Sequence, residues 1–90
     1  MNILVKRYTA SYCAPCKIIG PYFEEFRQIY SSRGVNFMTI DVELEPDDAK
    51  ANGVSSIPCV CIIKNGQEVS RLVGAKSKAS YQSLIESALN

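Results

Sequence analysis

The side chains best suited to chemistry in this sequence are its four cysteines, which fall in two close pairs, Cys13-Ala14-Pro15-Cys16 and Cys59-Val60-Cys61. Histidine is absent. That removes Cys-His nucleophile pairs, mixed Cys/His zinc sites and covalent haem attachment. Residues three apart on a helix share a face, so the sulfurs of Cys13 and Cys16 are able to close a reversible disulfide. The apolar pattern becomes helical at Cys13, which places that thiol at a helix N-terminus, where unpaired N–H groups and the positive dipole end favour a thiolate. Cys16 lies one turn deeper, shielded from large substrates but within reach of the first sulfur. Cys13 therefore reads as the nucleophile of thiol–disulfide exchange and Cys16 as the resolving thiol. Pro15 suits the first helical turn, where its missing N–H costs little. The same spacing is also half of a zinc site, and Cys59 and Cys61 could complete a four-thiolate set. On a strand, Cys59 and Cys61 point to one face and pack well as small core residues. Because Cys59 directly follows Pro58, a part in redox side chemistry is its second reading.

The elements that must position these thiols are legible from periodicity. Asn2 to Thr9 opens on Ile3-Leu4-Val5, a continuous apolar run suited to a central strand covered on both faces. After the short connection Ala10 to Tyr12, Ile19, Tyr22, Phe23, Phe26, Ile29 and Tyr30 recur at helical spacing. Pro21 lies inside that helix and predicts a kink, and Arg33-Gly34 predicts its end. Val35 to Asp41 reads as a second strand, and Pro46 to Asn52 as a short helix with Asp47 and Asp48 in its first turn and Gly53 closing it. Pro58 to Lys64 and Glu68 to Val73 read as antiparallel strands joined by the hairpin signal Asn65-Gly66. Lys78 to Leu89 forms a closing helix with Tyr81, Leu84, Ile85, Ala88 and Leu89 on one stripe. The order βαβαββα implies an α/β fold, a mixed four-stranded sheet with helices on both faces in a three-layer α/β/α sandwich. At 90 residues the chain has the size of one domain, expected to span 1–90.

Composition narrows the function. Apolar residues are 47% and charged residues 21% of the chain, as in ordinary globular proteins, and a formal charge of +1 gives no field to attract nucleic acid or an anionic membrane. No apolar run approaches the ~20 residues of a bilayer span, and Lys6 and Arg7 interrupt the start before a signal-peptide core forms. A cytoplasmic location and a monomer are expected. In that compartment thiols are kept reduced, which favours catalytic or metal-binding cysteines over a structural disulfide framework.

The segment Ala10-Ser11-Tyr12-Cys13-Ala14-Pro15-Cys16-Lys17 resembles the active-site stretch of the thioredoxin family, and Ile19-Gly20-Pro21 resembles the kinked continuation of that family's helix. Gly53-Val54-Ser55-Ser56-Ile57-Pro58 is similar to its cis-proline loop, and Lys64-Asn65-Gly66 with Val73-Gly74-Ala75 to its hairpin and following glycine. The resemblance covers nearly the whole chain. It implies a thioredoxin-like fold, a dithiol–disulfide oxidoreductase acting on disulfide-containing target proteins, and no cofactor beyond the Cys13-Cys16 disulfide. It implies a cis peptide bond at Pro58, and a shallow groove around Cys13 formed by Tyr12, Ala14, Pro15, Ile57, Pro58, Gly74 and Ala75. A thioredoxin-reductase-like partner would re-reduce the pair. The alternative is a glutathione-dependent glutaredoxin, but those proteins carry Gly-Gly and an acidic residue near Gly74, where this chain has Val73-Gly74-Ala75-Lys76. The chain also departs from the family. It opens directly on the strand before the thiols, without the further N-terminal strand and helix of longer members. Arg7 stands where the family has a buried acid, Ala14 replaces the usual glycine and Tyr12 the usual tryptophan. The proton acceptor for Cys16 is therefore not carried over.

Overall fold

A computed structural model describes residues 2–90. The elements follow the order expected: β1 Ile3–Thr9, α1 Ala14–Tyr30, β2 Val35–Asp41, α2 Pro46–Ala51, β3 Cys59–Lys64, β4 Gln67–Val73 and α3 Lys78–Leu89. One piece was not anticipated. The first helix ends at Tyr30, and Ser31–Arg33 form a separate 3-10 turn before Gly34, whose φ of 81° lies in the left-handed region that glycine adopts freely. The Ser31 hydroxyl bonds back to the Arg27 carbonyl, which also accepts the Ser31 backbone N–H. Helix α1 runs on through Pro21.

The sheet order is β2-β1-β3-β4. Strands β1 and β2 are parallel, with Ile3 opposite Val35 and Thr9 opposite Asp41. The β1–β3 and β3–β4 pairs are antiparallel. The Ile3-Leu4-Val5 run thus lies in a central strand, flanked on both sides. At the hairpin, Asn65 and Gly66 have φ of 53° and 85°, as a primed two-residue turn requires.

Alternation along the strands separates two cores. On one face Ile3, Val5, Val35, Val60 and Ile62 meet Ile19, Phe23, Phe26 and Tyr30 of α1 and Tyr81, Ile85 and Ala88 of α3. Phe23 sits edge-on to both Phe26 and Tyr81, at centroid distances of 5.5 and 5.0 Å. Ile29, assigned to the apolar stripe by its spacing, is 44% exposed. The stripe is narrower there because Phe26 and Tyr30 already fill the sheet-facing side. On the other face Tyr8, Ile40, Cys59 and Cys61 meet Ala49 of α2. A polar clamp closes this side: Lys6 Nζ donates to both Asp48 carboxylate oxygens at 2.9 Å, and the Tyr8 hydroxyl donates to Asp48 Oδ1 at 2.7 Å. Lys6 is buried, so its ammonium depends on this partner.

Candidate active site

The thiol pair sits where β1 ends and α1 begins. Cys13 is the N-cap of α1, extended at φ −90° and ψ 99°, and its Sγ accepts from the Cys16 N–H at 3.3 Å. A sulfur thus stands in the place where a serine or aspartate oxygen usually caps a helix. The Cys13 amide donates to the Ala10 carbonyl at 3.1 Å, fixing the approach of the connection. Pro15 occupies the first turn, where no hydrogen bond is lost. Cys13 and Cys16 are joined in a disulfide with Cα atoms 5.3 Å apart. The two sulfurs are not equally placed. Cys16 is 1% exposed and Cys13 7%, and Ala10, Val42 and Ile57 pack around them.

Two loops approach the pair. The Ile57-Pro58 peptide bond is cis, as the resemblance implied. The Gly74 amide donates to the Pro58 carbonyl at 2.8 Å, which brings the end of β4 beside the proline. The segment after it is pinned by Tyr81, whose hydroxyl donates to the Gly74 carbonyl at 3.2 Å and accepts from the Lys76 amide at 3.1 Å. Of the residues expected to form a groove, Ile57 is brought against the cysteine cluster and Pro58 is buried behind it, tied to Gly74. Tyr12, Ala14, Pro15 and Ala75 are exposed, Tyr12 to 69%. No enclosed cavity forms among the described residues, and of the two nearly buried sulfur-bearing residues Cys13 is the one nearer the surface.

Spacing in the sequence did not reveal Val42. It follows β2, and its amide donates to the Thr9 carbonyl at 2.9 Å, so the ends of two parallel strands converge on the disulfide. The rule that sites gather at the carboxyl ends of parallel strands was the available signal.

Cys59 and Cys61 lie one cluster away, both 1% exposed, with sulfurs 3.9 Å apart beneath Tyr8. Burial pushes the Cys61 thiol up to about 12. These are core thiols, held apart from Cys13 and Cys16, which are paired with each other. Arg7 is half-buried on the opposite face of β1. Its guanidinium stacks 5.5 Å from the Phe23 ring centre, its Nη2 donates to Thr39 Oγ1 at 3.5 Å, and its buried Nε has no partner. Burial lowers the arginine's pKa, partly offset by Glu24.

Residues 1–87 match the family model for thioredoxin. The chain belongs to the thioredoxin family. It is 36% identical to thioredoxin-1 of Saccharomyces cerevisiae over 87 residues, covering 97% of this chain and 82% of that one. It is 31% identical to the thioredoxin of Coprinus comatus, covering 98% of this chain and 82% of that one. Among solved structures, the Malassezia sympodialis thioredoxin superposes with a TM-score of 0.90 at 30% identity, over 99% of this chain and 76% of that chain. Oxidised mitochondrial thioredoxin 3 of S. cerevisiae gives 0.87 at 30% identity, over 96% and 78%. As a thioredoxin-family member the chain is a dithiol–disulfide oxidoreductase that acts on protein disulfides, and it works through its own cysteine pair without a cofactor. No helix among the described residues is long and apolar enough to cross a membrane.

Proposed function

We propose that Cys13 is the attacking sulfur and Cys16 the resolving one in the reduction of target disulfides, within a single domain spanning residues 1–90. In the reduced protein the Cys13 thiolate attacks one sulfur of a target disulfide, forming a mixed disulfide and releasing the target's other sulfur as a thiolate. Cys16 then attacks Cys13 through its own thiolate, and the second target sulfur leaves. Two electrons pass to the target, and the Cys13–Cys16 disulfide remains. Supporting this assignment is the asymmetry of the pair: the helix-capping sulfur accepts an N–H, while its mate is buried one turn below. Ile57, Pro58, Gly74 and Ala75 on one side, and Tyr12, Ala14 and Pro15 on the other, form the groove that receives an extended target segment. The exposed Tyr12, Ala14, Pro15 and Ala75 beside Ile57 give an extended polypeptide a surface to lie on.

The oxidised domain is re-reduced by a flavoprotein reductase of the thioredoxin-reductase kind, and it acts as a monomer in the cytoplasm. Reduction of insulin by this protein, driven in turn by such a reductase and by glutathione, tests the donor; turnover sustained by glutathione alone overturns the assignment. The nucleophile is tested by the alkylation rate of the reduced protein against pH. A midpoint below about 8.5, carried by Cys13 and lost in Cys13→Ser, is the expected result. A midpoint at or above the free-thiol value overturns it.

A further inference from the structure

The segment from Gly53 to Pro58 has no regular backbone pairing, yet it carries Ile57 and Pro58 to the thiols. Strand β4 holds it at both ends. At the far end the Gly74 amide binds the Pro58 carbonyl. At the near end Arg71 reaches over from β4, its Nη2 donating to the Asn52 carbonyl at 2.6 Å and its Nη1 to the Gly53 carbonyl at 3.2 Å. The amides here are already occupied: Gly53 donates to the Lys50 carbonyl at 3.2 Å and Val54 to the Ala49 carbonyl at 2.9 Å. With Gly53 at φ 66°, this closes α2 as a Schellman motif. The Asn52 and Gly53 carbonyls take no part in these bonds and are open to an outside donor.

An irregularity in β4 aims that donor. Glu68 and Arg71 are three apart, and in a regular strand they would face opposite sides. Cys61 is opposite Arg71 and Ile63 opposite Glu68, so two steps along β3 match three along β4. The extra residue, Val69, is a β-bulge, and it turns Glu68 and Arg71 onto the same face. There Glu68 accepts from Arg71 Nε at 2.9 Å and from Nη2 at 2.7 Å, holding the planar guanidinium in one orientation.

We propose that Arg71, aimed by Glu68 across the bulge, is a positioning residue that sets the Gly53–Pro58 segment and so the Ile57–Pro58 lip of the target groove. The inference rests on the reading of Ile57 as a target-contacting residue backed by the buried Pro58. The hydrogen bonds of Arg71 go to Glu68, Asn52 and Gly53 and none to Cys13 or Cys16, so its loss acts on target binding rather than on the exchange chemistry. A lip that is no longer held must be ordered by the target as it binds, which weakens binding.

The test compares Arg71→Met, Arg71→Lys, Glu68→Gln and Ile57→Ser in steady-state reduction of insulin and of a small aromatic disulfide, below the melting temperature of each variant. Arg71→Met is expected to raise KM for insulin by about threefold to tenfold while kcat and the small-disulfide rate stay within about twofold of the parent. Arg71→Lys keeps the charge but not the fork and should fall between the two. Amides of residues 54–57 should exchange faster in Arg71→Met. If Arg71→Met does not fold, Glu68→Gln, which keeps the arginine but releases its aim, carries the same expectation. An unchanged KM in the arginine and glutamate variants, with KM raised in Ile57→Ser, overturns the proposal and leaves the groove reading standing. A KM unchanged in Ile57→Ser removes the groove reading and the proposal with it. Equal losses of kcat and small-disulfide rate in Arg71→Met also overturn it.

Discussion

The four cysteines differ in what surrounds each sulfur. Cys13 accepts a backbone N–H at a helix start, whereas Cys61 packs with Tyr8 in the second core, where burial favours its neutral form more than the nearby Arg71 opposes it. Two outcomes follow at this scale. With the Cys13–Cys16 disulfide intact, native protein at about pH 8 should take up almost no alkylating agent, although a free thiol is by then substantially ionised. Labelling of Cys59 and Cys61 should appear only with denaturant, as peptide mass mapping would show. Rapid native labelling of either would contradict their enclosed position. The second outcome concerns the resolving step: Cys16→Ser should accumulate a mixed disulfide with insulin through Cys13, whereas Cys13→Ser should form none, as non-reducing electrophoresis and mass spectrometry would detect.

The elements are held to one another by a few polar ties as well as by apolar packing. Helix α2 is only six residues long, too short to be stable alone, and it depends on Ala49 packing and on the Asp48 clamp. The hydrogen bonds from Lys6, then from Tyr8, hold the Asp48 carboxyl below the usual carboxylate range. A carboxylate with a lowered folded pKa adds stability that is present above its unfolded value of about 4 and is lost as pH falls through the folded pKa. Asp48→Asn should therefore cost about 1–3 kcal/mol at neutral pH, because Lys6 is left buried without its counter-charge, and should flatten the fall in stability below about pH 5. Urea unfolding across that pH range measures both. An unchanged acid slope would show that the clamp contributes nothing. On the opposite face Tyr30 donates to Glu86 at 2.6 Å, tying α1 to α3 beside the aromatic cluster.

At the scale of the whole molecule, a single sheet shared by two cores makes the fold cooperative, since β1 and β3 contribute side chains to both faces. Phe26 is 0% exposed and touches Phe23 and Tyr30 across the larger core. Phe26→Ala should destabilise the protein by about 3–5 kcal/mol through lost transfer energy and the cavity left behind. In urea the midpoint should fall while the slope, set by the surface exposed on unfolding, stays near its parent value. A changed slope would indicate that the two cores unfold separately.

By itself, the sequence determined the order of elements, because period-two and helical apolar patterns, proline and glycine punctuation and the Asn65-Gly66 turn are local signals. It also marked Cys13 and Cys16, since a pair spaced by one helical turn at a strand–helix junction has a chemistry that hardly depends on distant residues. The exposure of Ile29 was not legible, because spacing places a residue on a helix face without saying how much of that face a sheet has room for. Nor was Val42 beside the disulfide, or Arg71 on the loop before Pro58, or the bulge at Val69 that turns Glu68 toward it. Each of these is a meeting of segments far apart in the chain. Tertiary structure alone decided them, through strand register, through the parity that one inserted residue reverses, and through which carbonyls a helix end leaves for a neighbour to satisfy.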